Sequence, residues 1–183
     1  MSAEADCAAA RALIFRAVIT VTTIAGSLTA ALYSWFPWTL PAMPLVTDRL
    51  VFTLRWNSLT IGFLLVLVGH IGNTRFFSAQ ANPLSSVDKD KVEIHCRVLQ
   101  NSLEQFLLSF VLQLSTVTWL EEAQMKIIPI VVVLFLVGRV LFWRGYLDPY
   151  CGHARRAYGL PLTMFTNLGM LIYCIYKMIG SSW

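Results

Sequence analysis

The chain has 183 residues, 57% of them hydrophobic and only 13% charged, with a net charge of +4 at pH 7. Its mean hydropathy of +0.64 excludes ordinary soluble composition. The positive charge therefore reads as membrane topology rather than as a nucleic-acid surface, and no nucleic-acid partner is expected.

Five stretches approach the roughly 20 apolar residues that a bilayer core of about 30 Å requires. They run near residues 12–36, 53–71, 92–119, 127–146 and 158–179. The first follows an acidic leader, MSAEAD, and exceeds the ~7–15 residues of a signal-peptide apolar region, so it reads as a retained helix. Gly26 and Ala30 within it form a small-xxx-small pair that admits close helix approach. The connection PWTLPAMP carries Pro37, Pro41 and Pro44, which a helix interior rejects, and is expected to be extended. FFSAQANPLSSVDKDK, after the second stretch, is polar and contains an Asn82-Pro83 turn signal. Pro129 and Pro161 fall in first helical turns, where a missing N–H costs nothing.

Arg11, Arg16, Arg75, Lys89, Lys91, Arg97, Arg144, Arg155 and Arg156 lie at one set of helix ends; Arg49, Arg55, Lys126 and Lys177 lie at the other. The positive-inside rule then places the N-terminus in the cytosol and the C-terminus in the lumen or outside. Cys7, Cys96, Cys151 and Cys174 form no CxxC, and three face the reducing side in this topology, so no disulfide framework is expected. His70, His95 and His153 with Cys96 and Cys151 lack the spacing of a metal site, and none is expected. Asn167, Lys177, Arg55 and Asn57 invite a transport reading, but snorkelling and helix packing account for them.

The chemistry-bearing pattern is on the third and fourth stretches. In RVLQNSLEQF, Arg97, Asn101 and Glu104 share one helical face. Glu104 lies ~18 Å along the axis from Val92, at a depth where an unpaired carboxylate costs about 2.5 kcal/mol or more. GRVLFWRGY places Arg139, Phe142 and Tyr146 on one face of the next helix, at the same predicted cytosolic half. Two guanidiniums, one carboxylate and one amide make a cluster that selects an anion or a thiolate. The alternative is structural: Arg97 snorkels while Glu104 and Arg139 form an interhelical ion pair.

Arg97-x-x-x-Asn101-x-x-Glu104 resembles the second-helix motif of the MAPEG family, membrane-associated proteins of eicosanoid and glutathione metabolism. The run from Arg139 to Tyr146 resembles the family's third-helix segment. The resemblance implies an all-α integral membrane fold: an additional N-terminal helix and outer loop over residues 1–50, then a MAPEG-like four-helix domain over 51–183, five spans in all. It also implies a homotrimer with intersubunit sites near the cytosolic face, using glutathione as co-substrate. Arg97, Asn101, Glu104, Arg139 and Tyr146 match glutathione-binding positions, and Arg155 or Arg156 corresponds to the catalytic arginine. A guanidinium beside the sulfur favours the thiolate over a thiol of pKa about 8.5. The implied activity is that of a glutathione transferase or peroxidase acting on a lipophilic small molecule taken from membrane lipid.

Gln105 stands where many relatives place a tyrosine, and Phe142 lacks a hydroxyl. The leading expectation is that cytosol-facing glutathione site; these departures, with the additional helix, are what favours the alternative, a non-enzymatic branch of the family that serves membrane trafficking or receptor turnover through membrane-protein partners. The endoplasmic reticulum or another secretory-pathway membrane is the expected location.

Overall fold

The structure, a computed structural model, describes residues 3–35, 37, 39–78, 89–147 and 158–181. Among the described residues five α-helices follow one another: α1 (Ala3–Trp35), α2 (Val46–Phe76), α3 (Lys89–Val117), α4 (Ile127–Tyr146) and α5 (Leu160–Gly180), with a 3₁₀ turn at Glu122–Gln124. All the described regular structure is helical.

Four of the helices are long and apolar enough to cross a bilayer, and α3 is not among them. Length is not the reason, since 29 residues of helix reach about 43 Å. Its polar content is: Glu93, His95, Arg97, Asn101, Glu104 and Gln113 dilute the apolar run. α3 nevertheless belongs to the bundle, packing against α2, α5 and α4.

α4 is the centre and α1 the periphery. In the most apolar window of each, 61% of residues are buried for the span containing α4 and 6% for α1. α1 rests only on α5 and α4 among the principal helix contacts. Large apolar side chains such as Phe15, Leu65, Val66, Ile172 and Ile179 point outward, while Thr53, Asn57, Ser109, Gln113 and Asn167 are buried. This inversion suits lipid, which removes the hydrophobic drive between helices and leaves packing and interhelical hydrogen bonds to hold them.

α2 starts at Val46, seven residues ahead of the apolar stretch, because its polar first turn is held by specific bonds. The Leu45 N–H donates to the Asp48 carboxylate at 3.2 Å. The Arg49 guanidinium donates to the carbonyl of Leu120, just beyond α3. The Met43 N–H donates to Glu122 Oε1 at 3.0 Å, which seats Met43 among Val117, Leu120, Met125 and Ile128. The proline-rich connection is thereby stitched to the α3–α4 turn.

At the opposite end, Leu64, Leu67, Val98, Phe142 and Tyr146 form a second core. Above them α5 crosses α4 at two glycines. A Cβ on Gly159 would sit 2.2 Å from the Gly138 carbonyl oxygen and 2.3 Å from the Phe142 nitrogen; one on Gly138 would meet Leu162 Cβ at 3.0 Å. Backbone contact this close excludes any side chain at 159.

Gly159→Ala should therefore destabilise the bundle by about 1–3 kcal/mol. Gly62→Ala, where a Cβ meets nothing within 4 Å, should leave the thermal midpoint of the detergent-solubilised protein unchanged. Equal midpoints for the two variants would remove the glycine crossing from the account.

Candidate functional site

Asn101 and Arg139 meet where α3 and α4 run side by side in opposite directions. Arg139 Nη1 donates to Asn101 Oδ1 at 2.8 Å, and Nη2 donates to Thr163 Oγ1 on α5 at 2.7 Å. Thr163 Oγ1 in turn donates to the Leu160 carbonyl at 3.1 Å. The guanidinium carbon lies 4.8 Å from the Phe142 ring centroid and 5.8 Å from that of Phe135, within cation–π range. Arg139 is 0% exposed. One side chain thus joins three helices, and the Gly138–Gly159 crossing seals it from above.

One turn nearer the predicted cytosolic end, Arg97 interacts with the Tyr146 hydroxyl across the same seam. Its guanidinium is bound to Glu93 Oε1 at 2.5 Å, one helical turn back on α3. Tyr146 is buried and packs on Phe142 with ring centroids 5.6 Å apart. Four of the sequence-predicted residues, Arg97, Asn101, Arg139 and Tyr146, therefore line one α3–α4 seam.

Glu104 does not join them. It is exposed, accepts a hydrogen bond from Gln100 Nε2 at 3.2 Å, and borders an open groove of about 520 Å³ between α2 and α3. Arg75, Cys96 and Gln100 line the same groove. Three residues advance a helix by about 300°, so with Asn101 turned to α4, Glu104 falls on the α2 side of the seam. The expected Glu104–Arg139 ion pair is accordingly replaced by the neutral partners Asn101 and Thr163. Arg155 and Arg156 lie outside the described residues, as do Cys151, His153 and the Asn82-Pro83 turn.

The arrangement can do little acid–base work within one chain. A guanidinium has five N–H donors, and Arg139 directs two groups at buried oxygens while Nε has no partner. Gln105 Oε1 is likewise buried without one.

Three contacts escaped the sequence reading. Thr163 is a short side chain on an apolar helix and gives no motif. Asn57 Nδ2 donates to Gln113 Oε1 at 2.9 Å and Gln113 Nε2 to Ser109 at 3.0 Å, a relay between α2 and α3. Here a signal existed: Ser102, Ser109, Gln113 and Thr116 recur at helical spacing on one buried face of α3. The third is His70 Nε2 against His95 Nε2 at 3.4 Å, both rings edge-on to Trp143. Among the described residues no group of three His, Cys, Asp or Glu side chains could hold a metal ion.

Comparison with known proteins decides the family. The MAPEG family model matches residues 53–176, more than half of the chain. The chain belongs to the MAPEG family. It is 29% identical over 147 residues to Transmembrane protein 79 (mattrin) of Mus musculus and 26% identical over 146 residues to the same protein of Bos taurus. Each alignment takes in 80% of this chain but 36% of the relative, so the chain spans about a third of the length of the curated relatives it matches. No solved structure matches. This MAPEG protein is thus an integral membrane protein whose family motif residues draw α3, α4 and α5 together.

Arg139→Ala should lower the stability of the solubilised protein by about 2–5 kcal/mol, because it empties a filled site and strands Asn101 and Thr163. Arg97→Ala should lower it far less than Arg139→Ala does, since its guanidinium is exposed and both its ion pair with Glu93 and its bond to Tyr146 are screened by solvent. Parallel thermal melts check both, and a neutral Arg139→Ala would show that the three-helix tie is not structural.

Proposed function

We propose that this MAPEG-family chain is a non-catalytic membrane protein of the mattrin-like kind, serving membrane trafficking or receptor turnover through membrane-protein partners. It would reside in the endoplasmic reticulum or another secretory-pathway membrane, N-terminus cytosolic and C-terminus luminal or extracellular. The observation that carries this reading is the state of Arg139: fully buried, bonded to Asn101 and Thr163, and covered by Phe142 and Phe135. A guanidinium meant for a tripeptide ligand needs open donors, and both amino groups of this one are bonded within its own bundle, with Nε buried. The similarity to Transmembrane protein 79 supports the same reading.

A second reading keeps a glutathione-dependent transferase or peroxidase working on a lipophilic substrate. It is favoured by the α2–α3 groove, where Glu104, Gln100 and Arg75 face outward together. In a homotrimer a neighbouring subunit would close that groove, with Arg155 or Arg156 supplying charge to the sulfur.

Two measurements separate the readings. Calorimetry of the purified protein with glutathione up to low millimolar concentration should give no binding heat, and no thiol conjugation of a lipophilic electrophile should exceed the uncatalysed rate. In cells lacking the protein, any change in receptor abundance at the surface should be rescued as fully by the Arg155→Ala/Arg156→Ala double variant as by the wild type. Saturable glutathione binding, together with failed rescue by that variant, would establish the enzymatic reading instead.

A further inference from the structure

A second cavity lies on the α1 side of the bundle. It has a volume of about 740 Å³ and lies between α1 on one side and α4, α5 and the end of α3 on the other. Its α1 wall runs from Thr22 through Gly26 to Ser34, and its α5 wall from Pro161 through Gly169 to Tyr173. Each wall covers twelve residue steps, about 18 Å of helix. The α1 wall precedes the family match, which begins at residue 53.

A tyrosine lies at or next to the end of each wall, and each tyrosine carries a lysine. Lys126 Nζ sits 4.1 Å from the Tyr33 ring centroid, and Lys177 Nζ 5.7 Å from that of Tyr173. All four residues are at the end predicted to face outward. The cavity is therefore a slot lined mainly by small and apolar side chains, with two lining tyrosines toward its predicted outer end that each carry a lysine ammonium near the ring. Its volume is that of a small-ligand site.

We propose that the slot between α1 and α4–α5 binds a single-chain lipid with an anionic head group, the chain lying between the two walls and the head meeting Lys126 and Lys177. A long-chain carboxylate and a monoacyl phosphate share this chemistry. The lysines select the charge, and the small α1 residues Gly26, Ala25 and Ala30 leave room for the chain.

The test uses the full chain in phosphatidylcholine nanodiscs with a photoactivatable oleate, mapping adducts by peptide mass spectrometry. Saturable labelling confined to residues 22–34 and 161–173 is expected. Oleate or oleoyl lysophosphatidate should compete about tenfold better than uncharged monooleoylglycerol, and whichever anion competes better identifies the head group. Lys126→Ala/Lys177→Ala should abolish that preference while apolar labelling persists. Gly26→Leu/Gly169→Leu should abolish the labelling with the thermal midpoint unchanged, because a Cβ at either position meets nothing within 4 Å. Non-saturable labelling spread over outward residues such as Leu65 and Val66, or equal competition by the uncharged lipid, would overturn the proposal and leave ordinary boundary lipid in the slot. Should the leucine variant fail to fold, the charge preference in the lysine variant decides alone.

Discussion

A guanidinium at hydrocarbon depth must be surrounded by protein, and the neighbourhood of Arg139 is arranged to do so. Lipid offers neither water nor counter-ion, so each N–H left unbonded costs far more than it would at a soluble surface. Asn101 and Thr163 answer much of that demand with two short bonds, Nε alone being buried without a partner, and two phenylalanine rings cover the flat face of the group. Since those partners sit on α3 and α5, satisfying one side chain fixes two neighbours against α4. The glycine crossing at 138 and 159 follows from the same geometry: only bare backbone lets α5 approach closely enough for Thr163 to reach the guanidinium.

The rest of the bundle repeats this logic at lower stakes. Asn57, Gln113 and Ser109 bond across α2 and α3, while Arg49 and Glu122 tie the connections at the far end. Apolar side chains are spent on the outside. A soluble protein would bury Leu65, Val66 and Ile172 and expose Asn57 and Gln113; here the solvent is hydrocarbon and the preference reverses.

How much of this was legible in the sequence depends on which property carried the signal. The five helices and their order were readable from apolar run lengths and proline placement, because a bilayer imposes length directly; the peripheral place of the first was not, since no run length shows which neighbours a helix packs on. The ends of α2 were not, since Asp48 and Arg49 look like loop until their partners Leu45 and Leu120 are known. At the candidate site, helical spacing brought Arg97 and Asn101 onto one face and Arg139 and Tyr146 onto another, and those faces meet. Spacing alone could not choose between the two sides of α3 for Glu104, because residues three and four apart diverge once a seam is fixed by packing. Nor could it find Thr163, a partner defined only by how closely α5 approaches. The family motif was visible; whether its charges are open to a ligand or consumed by the fold was not, because that depends on groups without any motif.

Accessibility of the two arginines distinguishes a tie from a binding site most directly. In native membranes treated with an arginine-selective glyoxal reagent and mapped by peptide mass spectrometry, Arg97 should be modified readily. Arg139 should stay unmodified until the protein is unfolded, and glutathione should alter neither rate. Modification of Arg139 at a rate comparable to Arg97, with protection by glutathione, would contradict the account and make the buried guanidinium a ligand-binding group.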